Sequence, residues 1–394
     1  MSCARTMPFL LLSIFLLSCS DEDSMPENTS ADAANEDASS ADESRKGVQS
    51  EPLGESPDGD ELTQFYLTNA NGIGVGLTNY GAIITEVRTP DRDGEFANIT
   101  LRHLDVSGYW TEGNPYFGSI VGRYGNRIAK GKFTIDGTEY TLATNNGNNH
   151  LHGGETGFNK RTWVANVLED SVGVRFTYSS PDGEEGYPGT LTAKATYTLT
   201  DADELRIDYE VVSDKDTHAN LTNHAYWNLA GAGSNAKPVL DHRVVLNADR
   251  YVEVDGEAIP TGQLPEVAGT PMDFRKAESI GARIDEVTGD PGGYDHCWVI
   301  NDGKEELQLA ARVTDSSSGR VMEVLTTEPG VQFYTGNFLS GADAESGYQQ
   351  RCGFCLETQR FPDSPNQPHF PTSLLKKGEI YTSTTVHKFS VEKE

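Results

Sequence analysis

From Gln64 onward the chain runs in short segments that alternate apolar and polar residues, each stopped by a turn rich in Gly, Pro or Asn. A period of two puts every second side chain on one face of an extended strand, whereas a surface helix needs apolar positions three and four apart. On that pattern 174–178, Leu191–Leu199, 205–212, Arg243–Leu246, 321–327, 331–335 and 386–391 are expected strands. The sharpest turn is Asp136-Gly137 within 132–142, where Asp-Gly supplies the two positive φ angles of a type I′ hairpin. No long helical period, internal repeat or linker divides 61–394. The expectation is therefore an all-β fold, one large antiparallel β-sandwich, although length alone would suggest two or three domains.

The first 60 residues read differently. Residues 1–18 carry Arg5 and an apolar run from Phe9 to Leu17, the pattern of a secretory signal too short to span a bilayer. Leu16-Leu17-Ser18-Cys19 resembles a bacterial lipobox, which implies cleavage before Cys19 and its lipidation. Behind it, residues 20–60 hold 13 acidic and two basic residues and few large apolar side chains. Such a stretch buries too little surface to offset its ordering entropy, so 19–60 is expected to be a disordered acidic tether. The protein is thus expected to be an exported cell-envelope lipoprotein, touching a membrane only through its N-terminal anchor.

Charge narrows the partners. With 60 Asp+Glu against 31 Lys+Arg the formal net charge is −29, which repels the phosphates of nucleic acid. Cys352-Gly-Phe-Cys355 has redox spacing, yet no helix N-terminus of a βαβ unit surrounds it. If 353–357 is a strand, side chains three apart face opposite ways and the two thiols cannot bridge.

Polar, titratable residues cluster at tight turns: Arg123 to Arg127, Asn145 to His152, Thr222 to Asn228, and a dispersed set of Asp295, Gln332, Tyr334 and Glu357. In an extended 224–228, His224, Tyr226 and Asn228 share a face and Trp227 points away. Gln332 and Tyr334 likewise share a face, with Val331, Phe333 and Thr335 behind. A polar and aromatic face backed by an apolar one suits a sugar, whose hydroxyls need amide, carboxylate and guanidinium partners. His150 and His152 lie only two apart, with no Cys or acidic partner at ligand spacing, so no metal is expected.

Taken in order, six motifs resemble the aldose 1-epimerase (galactose mutarotase) family: Gly122-Arg-Tyr-Gly-Asn126-Arg127-Ile-Ala-Lys-Gly, Asn149-His-Leu-His152-Gly-Gly, Thr222-Asn-His224-Ala-Tyr226-Trp-Asn-Leu-Ala-Gly, Gly293-Tyr-Asp295-His, Pro329-Gly-Val-Gln332-Phe-Tyr-Thr-Gly-Asn and Gly353-Phe-Cys-Leu-Glu357-Thr-Gln. The resemblance runs from about residue 66 to 391. It implies a supersandwich fold that interconverts the α and β anomers of hexoses without a cofactor, as a monomer acting on a small aldohexose. Carried over by motif, Glu357 is the general base and His224 the general acid, and Asn126, Arg127, His152, Tyr226, Asp295 and Gln332 bind the sugar. Cys297-Trp298 stands where Asn plus an aromatic is usual, which makes substrate preference the property expected to differ.

These residue types suit the reaction. Opening a hemiacetal removes the C1 hydroxyl proton while the ring oxygen gains one, work for a carboxylate and an imidazolium acting together. A base near neutrality requires either a raised Glu pKa or a raised His pKa. Three rivals remain to be weighed. A hexose-6-phosphate 1-epimerase needs an added basic cluster. A glycoside hydrolase or lyase needs two carboxylates across the bond, for which Asp295 and Glu357 could be mistaken. A surface carbohydrate-binding module without catalysis needs no matched acid and base.

Overall fold

The computed structural model describes residues 46–233, 235–301, 306–340 and 347–393. The expected signal segment, Cys19 and most of the tether lie outside them. The described residues belong to one compact unit, Asp42–Glu394. Their helices are short 3₁₀ turns, the longest being Val106–Trp110, and none is long and apolar enough to cross a membrane.

Among these residues the largest sheet has nine strands, in the order Val164–Val167, Gly173–Ser180, Leu191–Leu199, Glu204–Ser213, Ile380–Val391, Arg320–Thr326, Gln308–Thr314, Arg243–Leu246 and Glu278–Ser279, all antiparallel. The C-terminal strand thus lies mid-sheet and ties the two halves together. Alternation is complete in its centre. Leu191, Ala193, Ala195, Tyr197 and Leu199 are buried, and so are Leu205, Ile207, Tyr209 and Val211 on the neighbouring strand. Each large apolar side chain withdrawn from water contributes on the order of 2 kcal/mol.

A five-stranded meander, Gly47–Glu55, Glu61–Thr68, Gly74–Thr78, Ile83–Pro90 and Phe96–Asn98, shares this core. Phe65 meets Phe176 edge to face at 5.9 Å, and the Tyr197 hydroxyl donates to the Ala82 carbonyl at 2.7 Å. The expected tether therefore ends earlier than 60. Gly47–Glu55 pairs with Glu61–Thr68 from Gly47↔Thr68 to Glu55↔Glu61. It is a polar edge strand, mostly exposed, which adds backbone hydrogen bonds and only Val48 and Leu53 as apolar contacts, so composition alone disguised it.

The expected hairpin is present as Lys132–Ile135 and Thr138–Thr141, with φ of 49° at Asp136 and 80° at Gly137. A four-stranded sheet, Arg250–Tyr251, Asp295–Val299, Gly330–Tyr334 and Cys355–Gln359, completes the frame. Its register pairs Asp295 with Tyr334 and Cys355, and Gln332 with Cys297 and Glu357. Cross-strand partners share a face, so one face carries Asp295, Gln332, Tyr334, Cys355 and Glu357. The opposite face carries Trp298, Phe333 and Leu356 and packs into the main core.

Candidate active site

The polar face of that sheet forms one wall of a cleft of about 400 Å³. Asp295, Tyr334 and Glu357 come from the sheet, Arg127 from the short strand Arg127–Ile128 paired with His150–Leu151, and Tyr116, Asn126, His152, His224 and Tyr226 from loops. Of the eight sequence-predicted catalytic and sugar-binding residues, seven line the cleft together. Gln332 does not. Its Nε2 donates to the Asp295 carboxylate at 2.7 Å, and its Oε1 is buried without a protein partner. The register places it between Cys297 and Glu357, with its side chain reaching Asp295.

Besides Tyr116 at φ 66°, two cleft residues are held in left-handed backbone conformations, Asn126 at φ 67° and His152 at φ 50°. For a residue like His this costs on the order of 1–3 kcal/mol. The two compensate each other: Asn126 N–H donates to His152 Nδ1 and His152 N–H to the Asn126 carbonyl, both at 3.2 Å. The Asn126 side-chain oxygen also accepts the Arg127 N–H at 2.8 Å, and Arg127 Nε donates to Asn146 at 3.1 Å. Strain is thus stored where the guanidinium and imidazole must be aimed.

His224 Nε2 lies 3.7 Å from Glu357 Oε1, with both residues buried. Burial, then the nearby Asp295 carboxylate, pushes the Glu357 pKa well above its usual value, and Arg127 pulls it partly back. Burial pushes His224 down to about 4, and His152 well below its ordinary value. Of the two shifts that could bring a base near neutrality, the raised Glu is therefore the one present, and the His224 shift runs toward the neutral imidazole. One oxygen of Glu357, Oε2, is buried with no protein hydrogen bond. An orphaned carboxyl oxygen facing a cleft is costly unless a ligand completes it.

His152, His224 and Glu357 offer ligand atoms within 4.8 Å of one another, so the fold supplies the acidic partner that local spacing around His150 and His152 hid. The donor chemistry opposes a cation there. Asn126 N–H points at His152 Nδ1, which puts the proton of the neutral ring on Nε2 and leaves that atom a donor. His150 itself turns away, bonded to the Ala143 carbonyl and the Tyr187 hydroxyl.

Other expectations shift. Asn228 does not share the site face of His224 and Tyr226: its amide donates to the Lys237 and Cys352 carbonyls, because Trp227 bridges to Thr100 and Phe354 and turns the chain. Cys297 and Trp298 are buried off the cleft, Cys297 beside Phe361 and Trp298 in the main core, so neither lines it. Cys352 and Cys355 are both free. Tyr116, whose ring centroid lies 4.8 Å from that of His152 and 5.6 Å from that of His224, joins the site without a sequence signal, because 114–116 carries no local signature.

The sequence model of the aldose 1-epimerase family matches residues 63–388. The galactose mutarotase of Bos taurus is 46% identical over 342 residues, covering 86% of this chain and 97% of its own. The aldose 1-epimerase of Escherichia coli K12 is 37% identical over 342 residues, covering 85% and 97%. Among solved structures, galactose 1-epimerase from Lactobacillus acidophilus superposes with a TM-score of 0.77 at 28% identity, covering 89% of this chain and all of that one. An aldose epimerase homologue from C. elegans gives 0.75 at 28% identity, over 83% and 98%.

Proposed function

Because this chain belongs to the aldose 1-epimerase family, we propose that Glu357 and His224 are the base and acid with which it interconverts the α and β anomers of a free aldohexose. The observation that carries this reading is the buried carboxyl–imidazole pair, 3.7 Å apart, whose pKa values burial drives in opposite directions. Groups so arranged hold one proton between them at neutral pH. Before a sugar binds, burial favours the neutral placement, with the proton on Glu357.

A sugar changes that balance. Its C1 hydroxyl donates to the otherwise unpartnered Glu357 Oε2, which with Arg127 stabilises the carboxylate and moves the proton to His224 Nε2. Glu357 then takes the C1 hydroxyl proton as the C1–O5 bond breaks, and His224 Nε2 delivers its proton to O5. Rotation about C1–C2 presents the other face of the aldehyde, and the same transfers in reverse close the ring. Asn126, Arg127, His152, Tyr226 and Asp295 hold the hydroxyls, with Gln332 fixing Asp295.

Polarimetry on freshly dissolved α-D-galactose and α-D-glucose tests this. The protein should speed equilibration, and Glu357→Gln and His224→Asn should each reduce the rate by roughly 10²–10⁴-fold with the fold retained. A wild-type protein that leaves the spontaneous rate unchanged sinks the reading in favour of a binding module.

Export and anchoring through Cys19 belong to the same proposal, supported by the signal-like run before that residue and the acidic stretch behind it. Cys19→Ser should move the protein from the membrane fraction to the soluble one. Continued membrane retention counts against lipidation.

A further inference from the structure

The C-x-x-C spacing suggests a thiol pair, but the fold breaks that pair and uses one member elsewhere. Cys352 Sγ donates to the Ala236 carbonyl, while Cys355 Sγ sits 3.6 Å from His224 Nδ1. Cys355 and Glu357 are two apart on one strand and so share a face. That single strand therefore brackets the imidazole, sulfur at Nδ1 and carboxyl at Nε2. The ring cannot easily swing away from them. Tyr226 and Tyr116 lie at 5.2 Å and 5.6 Å from it, each tilted by 33°, and His152 meets it edge-on at 5.2 Å.

We propose that Cys355 is a positioning residue for the anomerisation: its sulfur accepts the His224 Nδ1–H, so that Nε2 alone exchanges the reacting proton. The proposal rests on His224 being the acid. The proton balance requires the Nδ1–H tautomer. If Nδ1 were bare, the neutral ring would carry its proton on Nε2 and could not accept the one that Glu357 must shed. With Nδ1–H held on sulfur, Nε2 offers a lone pair to Glu357 in the neutral state and a proton to O5 in the charged state. Nothing else in the cycle changes hands.

The choice of sulfur also matters. A carboxylate at Nδ1 would stabilise the imidazolium strongly, whereas a thiol sulfur is a weak acceptor, and the support the charged ring draws from its own backbone carbonyl and from Asp295 does not overcome burial. Burial, reinforced by Glu357 and Asp295, raises the Cys355 thiol well above its ordinary pKa, so it remains an uncharged S–H and adds no counter-charge. The imidazolium is thus kept a strong acid, suited to the weakly basic ring oxygen. The titratable groups that face His224 are Glu357, Asp295, His152, Tyr116, Tyr226 and Tyr334, together with Cys355 itself.

The test combines nitrogen-15 NMR of the histidine rings with steady-state mutarotation, on wild type, Cys355→Ala and Cys355→Ser. Wild-type His224 should show the Nδ1–H tautomer in the free enzyme. Cys355→Ala should shift it toward Nε2–H and lower kcat by roughly three- to tenfold, the loss of one hydrogen bond, with KM little changed. Cys355→Ser, which keeps an acceptor, should recover part of both. A wild-type ring protonated on Nε2, or an alanine variant with unaltered tautomer and kcat, overturns the proposal. Failure of the acid assignment itself reads differently: His224→Asn would then retain activity.

Discussion

Along Leu191–Leu199 buried and half-buried residues alternate without a break, whereas all five residues of Cys355–Gln359 are buried. In the first strand the inward face is apolar and the polar residues reach solvent. In the second, both faces are covered: Leu356 and Thr358 point one way, and Cys355, Glu357 and Gln359 point the other. Burying the second set yields little hydrophobic stabilisation and leaves Glu357 Oε2 and both polar atoms of Gln359 without protein partners. The nine-stranded sheet is thus the stability reserve that permits a smaller sheet to carry a costly carboxyl into a cleft.

If that division is correct, damage to the two strands must appear in different measurements. Ile207, fully buried opposite Tyr197, should cost about 2–5 kcal/mol of unfolding free energy on Ile207→Ala. Its mutarotation rate per folded molecule should stay at the wild-type value. Glu357→Gln should do the reverse, adding about 3–5 kcal/mol to the barrier for the reaction without lowering the unfolding midpoint. Urea unfolding monitored beside polarimetry separates the two. A parallel fall of stability and rate in both variants would show that site and scaffold are not separable.

The same contrast explains how much could be read in advance. Leu191–Leu199 and Arg243–Leu246 are legible to the residue because one face of each is solvated, and a solvated face writes a period of two into the sequence. The Asp136-Gly137 hairpin is legible because its backbone angles demand those residues. Gly47–Glu55 is illegible because an edge strand borrows its apolar partner from Glu61–Thr68. At the site, motif order named seven of the cleft residues, but it could not separate Gln332, which reaches Asp295, from residues that line the cavity. Tyr116 reaches the site from a loop, and the Cys355–His224 contact joins a strand to a loop 131 residues away in the chain.

A finer probe is the pH dependence of stability, since the buried imidazoles and the buried Glu357 carboxyl titrate in opposite senses. His150, His218, His224, His242 and His387 are each pushed down to about 4 by burial. A histidine depressed in the folded state lends stability that is present above its unfolded value near 6.5 and lost as pH falls toward 4. The protein should therefore become easier to unfold across that interval. Glu357 runs the other way. Its folded pKa is raised, so its contribution is fully present below about 4.5, the ordinary glutamate value, and is lost as pH rises toward the folded one. Replacing it with Gln removes the loss but keeps the shape. The difference in unfolding midpoint between Glu357→Gln and wild type should be near zero at about pH 4.5 and grow in favour of the variant toward pH 7. A difference that stays flat across that range would mean that Glu357 is ionised in the free enzyme. The proton shared with His224 would then have to reside on the imidazole before any sugar arrives, and the strand Cys355–Gln359 would be carrying an ion pair into the core instead of a neutral acid.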